Sequence, residues 1–194
     1  MGLRYALLAL LRVGPMSGYD LKKQFSQSVG HVWYAPDSQI YPELRRMEAE
    51  GLVSAEETPR GPRATRRLYE ATPAGDRAFL TWLAAPVDYQ RVKDVAHLKA
   101  AYLESVDAAA ARAFFERHER EWQDEHDQWA DELLSIDTLQ NAMLTRRLAV
   151  TAEADRARTI AFKRHTYAGL VARARAEVEW ARAGLAMLDD PTLR

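Results

Sequence analysis

The sequence contains no cysteine, no long apolar run and no large excess of charge of one sign. The absence of cysteine among its 194 residues excludes disulfide bonds, thiolate metal ligands and a cysteine nucleophile. No apolar stretch approaches the ~20 residues that a membrane-spanning helix needs. The first apolar run, residues 3–11, has no basic segment before it and no small-residue cleavage site after it. We therefore expect a cytoplasmic protein without a signal peptide or a membrane partner.

The near-zero net charge limits how the chain could attract a polyanion. It has 27 Lys and Arg against 28 Asp and Glu, which gives a formal net charge of -1. Residues 1–86 carry 11 basic and 9 acidic residues, whereas residues 87–194 carry 16 and 19. Attraction to nucleic acid would therefore require basic residues that are clustered in one local patch.

The first 86 residues are predicted to form three short helices, two strands and a fourth helix. The third helix ends at Gly51, and strand-like runs follow over residues 52–57 and 65–71, joined by a Pro/Gly/Arg loop. A helix followed by a basic hairpin is typical of the second half of a winged helix-turn-helix domain. Two further helices precede this helix and hairpin, in the order that the winged helix-turn-helix fold requires.

Beyond Pro86 the strand signals disappear and only helices are predicted. Their expected ranges are about 92–104, 107 to at least 134 with a kink near 137–138, and 153–188. The predicted fold class is therefore mainly α with a small β-hairpin. It comprises an N-terminal winged helix-turn-helix domain, residues 1–86, and a C-terminal all-helical, coiled-coil-like dimerisation domain, residues 87–194.

The third helix and the hairpin carry residue types that suit duplex DNA. Glutamine can pair with the edge of adenine, arginine with guanine or phosphate, and hydroxyl groups with either. For the helix alone, a solvated surface remains the better interpretation, but four arginines within eight residues of the hairpin favour DNA. The candidates are Ser38, Gln39, Tyr41, Arg45 and Arg46 on the helix and Arg60, Arg63 and Arg66 in the hairpin.

Residues 3–83 resemble the winged-helix domain of the PadR family of transcriptional regulators. The matching residues are LLALLRVGPMSGYDLKK, SQIYPELRRMEAEGLV and RRLYEATPAGDRAFLTWL. Residues 87–188 are similar to the helical C-terminal domain of the family's longer subgroup, whose architecture virulence-gene activators share, through AHLKAAYL and YAGLVARARAEVEWARAGLAML. The resemblance implies a homodimer that binds a pseudo-palindromic DNA operator, most often as a repressor.

The resemblance also implies which residues contact DNA. On the third helix it adds Pro42 to the residues given above, and in the wing it supports Arg63 and Arg66. Ala64 and Thr65 stand where many relatives have another basic residue, which weakens the expected contact between the wing and phosphate.

The C-terminal helices suggest a dimer seam and an effector pocket. Their apolar residues follow a coiled-coil-like spacing and exceed what a small monomer can cover, so a homodimer is expected. The residues assigned to its seam are Phe115, Tyr167, Val171, Val178 and Leu185. Trp122 and Trp129 are candidates for a pocket that binds a small aromatic effector, because PadR-like proteins are known for sensing phenolic compounds. Packing in the core is the more common role of such tryptophans.

Metal binding and catalysis find little support in the sequence. His118, Glu121 and Glu125 share a helical face that could hold a metal, but a solvated charged face is the better interpretation. Ser17 is one position late for a Gly-x-Ser-x-Gly elbow. We therefore expect no enzyme, no metal and no cofactor. Two alternatives to a DNA-binding regulator stay open: a winged-helix protein-interaction module and a ligand-buffering helical protein.

Overall fold

The computed structural model describes residues 2–26, 35–59, 65–89 and 93–193. The chain folds into two compact units, Met1–Asp88 and Tyr89–Arg194, each with its own core. None of the helices in the described ranges is both long enough and apolar enough to cross a membrane.

Within its described residues, the first unit contains four helices and a small antiparallel sheet. Its elements are, in chain order, α1 (Gly2–Leu11), β1 (Met16–Ser17), α2 (Gly18–Ser26), α3 (Asp37–Ala49), β2 (Val53–Pro59), β3 (Thr65–Ala71) and α4 (Pro73–Ala84). Leucines of α1 and α2 pack with the buried face of α3 to form the core: Leu7, Leu8, Leu21, Ile40, Leu44 and Met47. A small domain of this kind gains most of its stability from such apolar burial.

Local hydrogen bonds set where these helices begin and end. The Ser17 hydroxyl accepts from the Asp20 N–H at 3.1 Å and donates to the Asp20 carboxylate at 2.7 Å, which caps α2. Gly51 has a φ of 71°, a left-handed conformation that suits glycine and that stops α3. Thr72 caps α4 by accepting from the Gly75 N–H at 3.1 Å.

The sheet has three strands in the order β1-β3-β2, one more than the predicted hairpin. Strand β3 covers the predicted range, and it pairs with β2 from Val53↔Ala71 to Pro59↔Thr65. Strand β1 is two residues long and pairs Met16 with Tyr69. Two residues are too few for the alternation of apolar and polar side chains that identifies a strand in a sequence.

The second unit contains helices and no strands in its described residues. It contains α5 (Val95–Ala100), a 3₁₀ turn (Leu103–Ser105), α6 (Ala108–Asp137), α7 (Ala142–Ala149), α8 (Glu153–Asp189) and a final 3₁₀ turn (Pro191–Leu193). The predicted kink near 137–138 is the end of α6. Leu139 has a φ of 56° there, and Asn141 caps α7 by accepting from the Leu144 N–H at 2.9 Å.

Helices α6 and α8 lie side by side and antiparallel. Arg112 near the start of α6 pairs with Asp189 at the end of α8, and Asp137 at the end of α6 pairs with Arg164 at 2.8 Å. The apolar stripes of both helices meet along this contact, where Trp129, Ile136, Leu144, Tyr167 and Ala174 form one buried cluster.

This contact corrects the predicted dimer seam. Phe115, Tyr167 and Val178 are buried by their own chain, so they have no surface left to offer to a second copy. Val171 and Leu185 are half-buried on the same helix. A Cβ added at Gly184 would lie 2.4 Å from the Phe115 ring, which shows how closely α6 and α8 approach. Burial therefore removes three of the five predicted residues from a seam between copies, whereas Val171 and Leu185 keep part of their surface exposed.

Candidate nucleic-acid interface

Helix α3 presents its predicted DNA-contacting residues to solvent. Ile40, Leu44 and Met47 are buried at helical spacing, so the opposite side of the helix is exposed. All six candidates on α3 are exposed: Ser38, Gln39, Tyr41, Pro42, Arg45 and Arg46. The structure thus places amide, hydroxyl and guanidinium groups, which can bind base edges and phosphates, on one surface.

A groove lies between the start of α2, the middle of α3 and strand β3. Its volume is about 320 Å³, and its lining residues are Ser17, Gly18, Tyr19, Asp20, Tyr41, Arg66, Arg67 and Tyr69. A Cβ at Gly18 would lie only 2.4 Å from the Tyr41 ring, so Tyr41 can lie against α2 only because residue 18 has no side chain. Hydroxyl and guanidinium groups around a groove of this size suit a phosphate of the DNA backbone.

Tyr19 is a groove residue that the sequence motifs did not indicate. It follows directly on the cap of α2, and its side chain is 68% exposed. The sequence did contain a signal for it: Tyr19 stands two positions after the capping serine, Ser17, and therefore in the first turn of the predicted helix. Tyr69, by contrast, is buried at the base of the groove, and burial raises its pKa above the ordinary value.

The two described arginines of the wing have different environments. Arg66 is exposed, and its Nε donates to the Thr58 hydroxyl at a distance of 3.4 Å, so its charge remains accessible. Arg67 donates to Glu48 of α3 at 2.5 Å, and this hydrogen bond raises the pKa of Arg67. Arg67 therefore connects the wing to α3. Arg60 and Arg63 lie outside the described residues.

A wider cleft separates the start of α1 from α3. It has a volume of about 640 Å³ and is lined by Leu3, Arg4, Tyr5, Ser38, Gln39, Pro42, Glu43 and Arg46. Arg4 and Glu43 were not predicted as site residues. Glu43 is only 8% exposed and accepts from Arg4 Nε at 3.0 Å. A buried carboxylate needs such partners, because desolvation otherwise disfavours its charge.

The second unit places Trp129 in its core and Trp122 beside it. Trp129 is 6% exposed and packs with Tyr167 in the cluster between α6 and α8. Within the described residues its Nε1 has no hydrogen-bond partner. Trp122 is half-buried, with the Arg173 guanidinium 5.5 Å from its ring centroid. A buried N–H donor without a partner in the protein is unusual, and a water molecule or a polar ligand atom could satisfy it.

His118 lies in an aromatic cluster and not on a solvated face. Its Nε2 lies 3.2 Å from Glu177 Oε2, its ring contacts Trp180 edge to face at 4.9 Å between centroids, and only 11% of its side chain is exposed. The solvated charged face expected for this residue is therefore wrong. Across the described ranges, no three His, Asp or Glu side chains are placed to hold a metal.

Comparison with known proteins shows that the chain is similar to transcriptional regulators. Residues 7–80 match the profile of the Transcriptional regulator PadR-like family. The Negative transcriptional regulator PadR of Bacillus subtilis is 36% identical over 115 residues, which are 58% of this chain and 63% of that protein. The aligned segment therefore spans somewhat less than two thirds of this relative.

Solved structures extend the similarity over nearly the whole chain. PadR of Bacillus subtilis in complex with operator DNA has a TM-score of 0.73 and 26% identity, covering 95% of this chain and 97% of that chain. The same protein in complex with p-coumaric acid has a TM-score of 0.63 and 26% identity, covering 98% and 100%. The Vibrio cholerae virulence activator AphA has a TM-score of 0.67 and 25% identity, covering 96% and 98%. As its sequence motifs predicted, residues 7–80 match the PadR-like family of transcriptional regulators, and nearly the whole chain is similar in structure to PadR of Bacillus subtilis.

Proposed function

We propose that this protein is a transcriptional repressor that binds a pseudo-palindromic DNA operator as a homodimer. The observation that carries the proposal is the exposed surface of α3, where six candidate contact residues lie next to the groove with Tyr19, Tyr41 and Arg66. Support also comes from the Bacillus subtilis relative, whose structure has been solved with operator DNA.

The geometry gives each group a role. Helix α3 enters the major groove, where the Gln39 amide pairs with an adenine edge and Arg45 or Arg46 with guanine. Tyr19, Tyr41 and Arg66 contact the adjacent phosphates, which fix the register of the helix on the duplex. These phosphate contacts supply affinity for any sequence, whereas the α3 contacts supply the preference for an operator.

One copy of the chain would bind DNA weakly, since the net charge of -1 supplies no general attraction. Two copies whose α3 helices lie about 34 Å apart contact successive major grooves of a symmetric site. The surface we propose for the second copy includes the outward side of α5. Val95 and Leu98 are exposed there, as is Tyr102 just after the helix, while the ring of His97 on the other side of α5 stacks on Trp180 with 4.1 Å between centroids.

We further propose that a small aromatic acid binds at the helical unit and relieves repression. Trp129 offers its Nε1–H, which has no partner among the described residues. Lys163 has its Nζ 5.1 Å from the ring centroid of Tyr167, which packs in the same cluster as Trp129. The Bacillus subtilis relative has been solved with p-coumaric acid, whose carboxylate is an acceptor for donors of either kind. A ligand between α6 and α8 would change the distance between the α3 helices of the two copies.

Binding of the full chain to the DNA upstream of its own gene tests the first proposal. We expect preference over a scrambled duplex of the same composition, together with affinity that falls steeply as salt rises. A winged-helix protein-interaction module would bind neither duplex, and that result would overturn the proposal.

Tryptophan fluorescence tests the effector. Titration with p-coumaric acid should quench the wild type to saturation and should release the DNA, whereas Trp129→Phe, which lacks the N–H, should bind more weakly. Quenching in a chain that never binds DNA would instead indicate a ligand-buffering protein. The absence of any response to p-coumaric acid and related phenolic acids would contradict the effector proposal.

A further inference from the structure

Glu43 is a charged residue on the inner flank of the proposed DNA-reading helix. It lies in α3 between the exposed residues Pro42 and Arg46, yet it is 8% exposed. Its carboxylate accepts from Arg4 Nε of α1 at 3.0 Å and from Arg46 Nη1 at 2.5 Å. The two arginines compensate for the desolvation that burial imposes on the carboxylate.

Arg4 connects α1 to α3 at two places. Besides Glu43, its Nη1 and Nη2 donate to the two carboxylate oxygens of Glu50 at 2.8 and 3.1 Å. Glu43 and Glu50 are about two helical turns apart. One planar guanidinium therefore holds α3 at two separate points, which fixes both its rotation about its own axis and its position along α1.

The same network orients Arg46. The Arg46 side chain is 61% exposed, so most of its donors remain available to a ligand while one is held by Glu43. A long side chain that is already oriented loses less conformational entropy when it binds. The hydrogen bonds that Arg4 donates to Glu50 also raise the pKa of Arg4, so that the guanidinium keeps its charge.

We propose that Arg4 is a positioning residue for operator preference, acting on DNA through Glu43 and Arg46 without touching it. The inference rests on the proposed DNA-binding function. Arg4 sets the rotation of α3, and this rotation decides which base edges Gln39 and Arg46 can reach. A small shift of α3 against α1 would thus alter preference while general affinity stays the same.

A direct contact between Arg4 and a phosphate is the competing explanation. The two roles differ in their salt dependence, because a lost phosphate contact lowers the slope of log affinity against log salt by about one. A lost positioning contact leaves that slope unchanged and lowers the affinity ratio between operator and unrelated DNA. The ratio and the slope together distinguish the two roles.

The experiment compares four substitutions in the full chain. Arg4→Gln removes the charge, whereas Arg4→Lys keeps it but cannot bind both glutamates. Glu43→Gln weakens the hydrogen bond that Glu43 accepts from Arg46. Arg12→Gln is the matched control, because Arg12 also lies at α1, directly after its last residue, but pairs with Asp76 of α4 at 2.9 Å. The probes are the tightest duplex selected from a random library and a scrambled duplex, each titrated at several salt concentrations.

We expect Arg4→Gln, Arg4→Lys and Glu43→Gln each to lower the operator-to-scrambled affinity ratio about tenfold, the size of one lost base contact. The salt slope should stay at the wild-type value in Arg4→Lys, and Arg12→Gln should keep the wild-type ratio. Thermal unfolding of each variant checks that the chain is folded. If Arg4→Gln does not fold, the test uses Arg4→Lys, which retains the positive charge.

Two results would overturn the inference while leaving DNA binding intact. One is an unchanged ratio in folded Arg4→Lys and Glu43→Gln. The other is an equal loss on both duplexes in Arg4→Gln, with a slope reduced by about one, which identifies a phosphate contact. If the wild type itself prefers no duplex, the proposed function is wrong and the inference fails with it.

Discussion

At the scale of single residues, the position of Tyr41 depends on the absence of a side chain at Gly18. A methyl group at Gly18 would lie 2.4 Å from Tyr41 Cε1, a distance at which the ring must move. Gly18 and Tyr41 belong to different helices, so no periodicity within either helix could predict this contact. By contrast, the exposed side of α3 was predictable, since Ile40, Leu44 and Met47 already define its buried side.

Gly18→Ala should therefore weaken DNA binding. Displacement of Tyr41 removes one phosphate contact, and we expect operator affinity to fall about tenfold. Gly169→Ala is the matched control, because nothing lies within 4 Å of a Cβ at Gly169. It should leave DNA binding unchanged. Equal affinities for Gly18→Ala and the wild type, measured by fluorescence anisotropy, would remove Tyr41 from the proposed interface.

Gln39 and Arg66 should have different effects on recognition. Gln39→Ala should relax the preference at one position of each half-site by about 1–3 kcal/mol and leave binding to scrambled DNA unchanged. Arg66→Gln should weaken binding to all sequences and reduce the salt slope by about one. Competition titrations against single-base variants of the operator measure both effects. A uniform loss in Gln39→Ala would mean that Gln39 does not contact a base.

At the scale of elements, the sequence predicted α6 and α8 well but not their partners. Their apolar spacing correctly indicated two long helices, each with an apolar seam. Spacing cannot tell whether that seam faces another helix of the same chain or a second copy, because both are apolar surfaces of the same shape. Three-dimensional packing decides it: Phe115 meets Gly184, and Trp129 meets Tyr167, within one chain.

A lysine at the α6–α8 contact gives this pair of helices a pH dependence. Burial lowers the pKa of Lys163 below its ordinary value, so the unfolded chain holds this proton more tightly than the folded one. The unfavourable contribution of Lys163 to stability is therefore present at neutral pH and decreases as pH rises toward the unfolded pKa of about 10.4.

Lys163→Met tests this pH dependence because it removes the group that titrates. We expect the variant to be more stable than the wild type in urea at pH 7, with a difference that shrinks as the pH approaches about 10. Comparing the two proteins at each pH cancels the titration of other groups, Tyr167 among them, whose pKa burial raises. A difference that is constant with pH would show that Lys163 keeps its ordinary pKa.

At the scale of the whole molecule, the proposed recognition of a pseudo-palindromic operator requires two copies. Because most of the apolar seam between α6 and α8 is buried within one chain, a dimer surface is expected at apolar residues that are exposed. The outward side of α5 is one of these, and Leu98 at its centre is 61% exposed. Leu98→Glu should shift the protein toward monomer in light scattering and weaken operator binding. Lys99→Glu, a neighbouring change of charge, is the control, and a dimer that survives Leu98→Glu would exclude this surface.

The measurement that bears most directly on the proposed function is selection of DNA by the full chain from a random duplex library. We predict enrichment of a pseudo-palindrome whose half-sites are centred about one helical turn apart, roughly 10–10.5 base pairs. Repeating the selection with Gln39→Ala should lose one position symmetrically in both half-sites. Enrichment of no sequence, or of a motif without symmetry that Gln39→Ala leaves unchanged, would contradict a dimeric regulator that reads DNA through α3.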